Sequence, residues 1–219
     1  MQHDADPNGF DRELAELEAL SNGALDLIER GRFDDAERVC LELKRRFPEQ
    51  IDWIDRFAQL HLARGQVGRA IECYREALRF RTPEAAPHDY ARTQINLGNV
   101  YRILPTGDRS ENLARAIECY TEALRFRTPE AAPREYAQTQ NNLGLAYAAL
   151  PTGDRGENLA QAIECYRQAL RFRTPEAAPR GYAQTQNNLG NAYRDLPTGD
   201  RGKNLAQAIA CYQETLRFR

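Results

Sequence analysis

Apolar and small side chains recur along the chain at intervals of three, four and seven, the spacing that gathers them on one face of an α-helix. Over 180–196 they are Tyr182, Leu189, Gly190, Tyr193 and Leu196; over 159–170 they are Leu159, Ala162, Ile163, Tyr166, Ala169 and Leu170. The pattern predicts one helix from about Arg180 to Asp195 and a second kind opening at Asp154-Arg155-Gly156-Glu157. An aspartate three residues before a glutamate satisfies free amides of a first turn. Pro197-Thr198-Gly199 stops the first kind, because proline cannot continue a helix and glycine accepts the turn. Arg171-Phe172-Arg173 ends the second kind, and both cations suit the negative end of the helix dipole. Thr174-Pro175 and Pro179 punctuate the link to the next helix.

The same pair of helices returns. Residues 91–136, 137–182 and 183–219 are copies of one 46-residue unit, the third shorter, and the first two copies differ at 11 of 46 positions. Each carries Asn-Leu-Gly-x-x-Tyr, Leu-Pro-Thr-Gly-Asp-Arg, Asn-Leu-Ala-x-Ala-Ile-x-Cys-Tyr and Leu-Arg-Phe-Arg in that order. Periods of this length mark stacked helical arrays. One hairpin cannot stabilise itself: a buried large side chain contributes roughly 1.5–3 kcal/mol, whereas ordering each residue costs about 1–2 kcal/mol. Stacking hides the apolar stripe against both neighbours.

These motifs resemble the tetratricopeptide repeat family, whose pattern places Leu-Gly-x-x-Tyr on helix A and Ala-x-x-x-Phe/Tyr-x-x-Ala on helix B. Leu143, Gly144 and Tyr147 match helix A, and Ala162, Tyr166 and Ala169 match helix B. Towards the N-terminus the spacing is the family's own 34 residues: Ala36, Cys40, Leu43 and Pro48, then Ala70, Tyr74 and Ala77, with Gly31 and Gly65 at the turns. Tyr147 to Ala162 is 15 residues against 9 in the short form, and Ala169 to Leu189 is 20 against 14, so the long unit is expected to be the ordinary hairpin with both connections extended. Gln94, Gln140 and Gln186 stand where the family has a large aromatic, and Gly23 and Ala24 stand where it has Leu and Gly. The resemblance implies an all-α fold, a right-handed superhelical α-solenoid of about five antiparallel hairpins over 12–219, with repeats at about 17–50, 51–84, 91–129, 137–175 and 183–219. Residues 1–11 are expected to be a disordered lead. No polar capping helix follows the last helix B, and solenoid ends normally need one; the expectation is a truncated polypeptide, or a last hairpin packed on another molecule.

Composition removes several function classes. Of 30 basic residues only Lys44 and Lys203 are lysine, yet the net charge is −2, which disfavours a basic nucleic-acid or membrane-surface protein. Two serines and three scattered histidines leave little for a hydrolytic triad, so no enzyme activity is expected. Cys40, Cys73, Cys119, Cys165 and Cys211 form no close pair, and the last three are 46 residues apart, which marks them as small helix-facing residues of a reducing cytoplasm. No metal, cofactor or membrane span is expected. His61 has no Cys or Asp partner in view, and Pro-Thr-Gly-Asp-Arg lacks the glycine-lysine arrangement of a phosphate loop. The recurrent Arg-Phe-Arg has the ingredients for nucleic acid, but Phe80, Phe126, Phe172 and Phe218 have core-like spacing.

In the family helix A lines a concave groove, and the resemblance implies that this groove takes a protein or peptide. Carried onto this chain, the groove positions are Arg92, Asn96, Asn99 and Arg102, then Gln138, Asn141 and Asn142, then Gln184, Asn187, Asn188, Asn191 and Arg194, with Ile95 and Leu145 beside them. An asparagine amide both donates to and accepts from a peptide backbone. A ladder of Asn96, Asn142 and Asn188 would resemble kinesin-light-chain-type repeats. The opposing expectation is that these amides bond neighbouring helices or water. The long copies also look like bacterial arrays fused to CHAT protease domains, which implies a sensing or docking arm. The competing class is a self-associating module that stacks end to end through its last hairpin.

Overall fold

The computed structural model describes residues 7–218, with side chains from residue 11 onward. Ten helices, and no strand, are found among the described residues: α1 (Pro7–Glu29), α2 (Phe33–Arg46), α3 (Asp52–Ala63), α4 (Val67–Phe80), α5 (Pro87–Ile103), α6 (Arg109–Leu124), α7 (Pro133–Ala149), α8 (Arg155–Leu170), α9 (Pro179–Asp195) and α10 (Arg201–Arg217). They pair in sequence order into the five expected hairpins. α1 opens at Pro7, a residue whose fixed φ suits a first helical position, so 7–11 are helical where a lead is expected. Residues 1–6 lie outside the described residues.

The extra residues of the long repeat go mostly into helices rather than connections. Helix A is 17 residues in α7 against 12 in α3, and helix B is 16 in α8 against 14 in α4. A proline at the start of α5, α7 and α9 sets the earlier helix A start. Each long hairpin is closed by the same connector. Asp108, Asp154 and Asp200 cap helix B, the carboxylate accepting from the backbone N–H three residues on (2.8–2.9 Å). Asn112, Asn158 and Asn204 donate to the carbonyls of Thr106, Thr152 and Thr198, each at 2.8 Å. Arg109 and Arg155 reach back to the last-turn carbonyls of Arg102 (2.5 Å) and Ala148 (2.6 Å), and Arg201 does the same to Arg194. The side chains of the Pro-Thr-Gly-Asp-Arg turn thus have a structural use, and the glycine has φ +78° in all three copies.

The Leu-Gly motif brings helices A and B together. A Cβ on Gly144 would stand 2.6 Å from the Tyr166 ring, and one on Gly98 or Gly190 would stand 2.8 or 2.7 Å from Tyr120 or Tyr212. The aromatic missing at Gln94 and Gln140 is supplied one turn earlier. Tyr90 meets Phe126 edge-on at 5.6 Å, Tyr136 meets Phe172 at 5.6 Å and Tyr182 meets Phe218 at 5.4 Å, the preferred geometry of ring quadrupoles. Gln94 and Gln140 donate to the Tyr90 and Tyr136 hydroxyls (2.9 and 3.0 Å). Phe126, Phe172 and Phe218 are half-buried as their spacing predicts, but Phe80 is exposed.

The chain divides into two compact units, Met1–Arg81 and Thr82–Arg219. In the first, α1 packs on α2 and α3, and α3 on α4, around Leu43, Ile54, Leu60 and Tyr74. Arg56 ties α3 to α1 through Ser21 Oγ (2.7 Å). In the second, helix A touches helix A along α5, α7 and α9, and α6 and α8 each pack between successive helices A. The core of its last two hairpins is built of Leu159, Ile163, Tyr166, Leu189 and Tyr193.

Candidate binding face

The sequence-selected residues lie on the three helices A of the second unit and fall into two populations. The first is spent on holding the helices together. Asn141, 1 % exposed, accepts from Thr185 Oγ1 and from Asn188 Nδ2 of α9, both at 3.2 Å. Asn142 donates to Asn99 of α5 (2.9 Å) and accepts from Gln138 (3.2 Å). Asn99 also accepts from the Tyr120 hydroxyl (2.8 Å), and Asn191 from that of Tyr212 (2.9 Å). A chain of amides therefore runs from α5 through α7 to α9. Burial pushes the Tyr120 pKa up to about 12, so its hydroxyl remains a donor at neutral pH.

The second population stands open. Arg92, Gln138, Gln184, Asn187 and Arg194 are exposed or half-exposed, and Asn96 and Arg102 are half-buried. Arg92 pairs with Asp89 at 3.0 Å, and Arg194 with Asp195 at 2.8 Å, which holds the Asp195 carboxyl below its ordinary range. Cavities lie along these helices. One of about 400 Å³ between α5 and α7 is lined by Arg92, Ile95, Asn96, Arg127, Arg134, Glu135, Gln138 and Thr139. Another of about 410 Å³ between α7 and α9 is lined by Pro133, Arg134, Gln138, Phe172, Arg173 and Gly181. A third of about 320 Å³ on α9 is lined by Arg180, Gln184, Asn187 and Phe218.

Arg127 and Arg173 escape the sequence reading, which assigns the second arginine of Arg-Phe-Arg to the helix dipole. The structure turns it inward instead. Arg173, 7 % exposed, donates through Nη1 to Thr185 Oγ1 (2.9 Å) and through Nη2 to Gln138 Oε1. Arg127 donates to the His88 carbonyl (3.1 Å), and its buried Nε has no acceptor among the described residues. The detectable signal was register: Arg81, Arg127 and Arg173 share one repeat position, and its neighbours change from copy to copy.

Among the described residues no group of three His, Cys, Asp or Glu side chains gathers to hold a metal ion. No disulfide joins the cysteines, and burial pushes the Cys165 thiol up to about 12, away from the thiolate a nucleophile needs. His61 stacks on Phe57 and contacts Gln66 Oε1 through Nδ1 (2.8 Å), a packed histidine. Among the described residues no helix is long and apolar enough to cross a membrane.

No family model matches the chain, and no curated protein matches it in sequence. Solved structures do match its fold. BtubC (BKLC) from P. vanneervenii superposes with a TM-score of 0.77 at 23 % identity, over 94 % of this chain and 80 % of that one. Pseudomonas aeruginosa PilF gives 0.67 at 18 % identity over 93 % and 76 %. TTC0263, a thermophilic TPR protein of Thermus thermophilus, gives 0.62 at 22 % identity over 92 % and 91 %. The fold is therefore that of a tetratricopeptide-type helical-repeat solenoid.

Proposed function

We propose that the chain is a non-catalytic docking module that receives an extended segment of a partner protein along α5, α7 and α9. The observation that carries this reading is the pair of cavities between successive helices A, rimmed by Arg92 and Gln138, together with one between α9 and α10 beside Gln184 and Asn187. The buried amides fix the spacing of the helices, and the exposed ones supply donors and acceptors to a peptide backbone. Five cysteines outside any disulfide support a reducing, cytoplasmic setting. Within a larger bacterial protein such a module is the sensing arm. The test is to pan random peptides on the intact chain and measure the enriched ones by fluorescence polarisation. Alanine at Arg92, Gln138, Gln184 and Asn187 together should weaken binding at least tenfold. Failure to enrich any peptide, or equal binding by the variant, overturns the reading.

One observation favours a second reading, self-association through α10. Leu159 and Ile163 of α8 are 1 % and 6 % exposed, but their counterparts Leu205 and Ile209 are 37 % and 56 % exposed. A second copy covering this apolar face gives a dimer. Light scattering against concentration checks it: a rise in mass that Ile209→Asp abolishes supports it, and a constant monomer mass removes it.

A further inference from the structure

In the first unit the arginine that closes helix B is neutralised within its own hairpin. Arg81, 2 % exposed, meets Asp55 at 2.9 Å and Asp52 at 3.4 Å, both on helix A. Gly144 and Ala58 share a repeat position, and counting back from them places Gln138 and Asn141 at the positions of Asp52 and Asp55, with Arg92 and Ile95 one copy earlier. The contacts keep the same register, since Arg173 Nη2 donates to Gln138 as Arg81 Nη2 does to Asp52. Both carboxylates are thus replaced by neutral or cationic side chains while the arginine is kept. Its protein acceptors, Thr185, Gln138 and the Gly181 carbonyl, are all uncharged. A buried guanidinium is stable when it is paired with a charge, and burial already pulls the Arg173 pKa down.

A third acidic position is lost at the same place. Asp89 and Glu135 occupy one position in α5 and α7, and α9 has Gly181 there. A Cβ on Gly181 would lie 3.5 Å from Arg173 Nε, so the missing side chain leaves open space beside the guanidinium. The cavity that results is lined by the exposed Arg134 and by no carboxylate, and its walls are Pro133, Phe172, Ala177 and Ala178.

We infer that this cavity between α7 and α9 is an anion seat, in which an aspartate or glutamate of an acidic peptide meets Arg173 and Arg134 while a neighbouring apolar side chain lies on Phe172 and Pro133. The inference rests on the docking reading above and names the chemistry of the partner. Arg92, Arg127 and Arg134 also line the preceding cavity, but Glu135 stands among them there, so the cavity between α7 and α9 is the one of the two that lacks a carboxylate.

The test uses the full chain and two labelled probes, a peptide of alternating glutamate and leucine and its glutamine counterpart, with inorganic phosphate as a competitor of the first. Binding of the glutamate peptide at least tenfold tighter than the glutamine one is expected. It should fall tenfold or more in Arg134→Glu, which alters an exposed side chain, and in Gly181→Glu, which brings the lost carboxylate back. Thermal melts of both variants establish that they fold. Equal affinity for the two peptides overturns the anion seat and leaves the docking reading standing. Binding of neither peptide, with random-peptide panning still successful, also overturns only the seat. Phosphate displacing the glutamate peptide at equimolar carboxylate would make the ligand a phosphoryl group and overturn the carboxylate assignment.

Discussion

Arg81 and Arg173 close equivalent helices, yet one is tied to two aspartates and the other to an amide, a hydroxyl and a carbonyl. The first unit satisfies its buried cation internally and leaves no charge to offer. The second keeps the cation, drops the counter-charge and opens a cavity beside it. Identical residues in register therefore do different work according to what stands 29 and 26 residues before Arg81, or 35 and 32 before Arg173. In a repeat protein the informative unit is the repeat position together with its neighbour across the hairpin.

That contrast can be broken from either side. The largest effect is expected from Asp55→Ala, which strips Arg81 of its closer carboxylate in the interior of the first unit; removing one member of a buried pair costs about 3–5 kcal/mol. Asp52, half-exposed, softens the loss, so the lower figure is expected in urea denaturation followed by circular dichroism. Next comes a pair of glycines. Gly144→Ala drives a methyl into the Tyr166 ring and should destabilise the second unit by about 1–3 kcal/mol. Gly23→Ala in α1 has nothing within 4 Å of the new methyl and should stabilise by about 0.5–1 kcal/mol. The same denaturation series reads both, and equal signs would show that the helix contact does not set the glycine.

The smallest effect is a titration. Burial pushes Cys40 and Cys73 of the first unit up to about 11 and Cys165 of the second to about 12, from an ordinary value of 9.0. A raised thiol pKa adds stability that is complete below the unfolded value and is lost as pH rises through the folded one. Stability should therefore decline as pH rises above that ordinary value. Thiolate absorbance in the far ultraviolet should appear for Cys40 and Cys73 before Cys165, an order that Cys40→Ser, Cys73→Ser and Cys165→Ser assign.

Helices, hairpin pairing and connectors were legible because their causes are local. An N-capping aspartate, a turn glycine and a proline at the first helical position act within a few residues, and Asp154, Gly153 and Pro133 each did what their type dictates. Where the extra residues would go was not legible, because a polar stretch such as Pro133-Arg134-Glu135 suits a loop or an exposed first turn equally. The face was legible as a face and not in its detail. Asn141 and Asn187 occupy the same repeat position, yet the first is buried and the second exposed, because Asn141 finds Thr185 and Asn188 on the following helix, 44 and 47 residues away. A side chain's type says that it will seek a partner, and only the stack says whether that partner is protein.

The connector has a last consequence. Asp154 caps Glu157, Asn158 binds Thr152 and Arg155 grips Ala148, so every one of these bonds begins and ends inside one copy. A long repeat is in that sense a sealed cassette: excising or inserting one whole copy severs none of its closing bonds. Exposed positions such as Asn187 and Gln184 can change without touching any of these closing bonds. The 46-residue unit can thus be recombined as a single piece, its frame held constant while its face is rewritten.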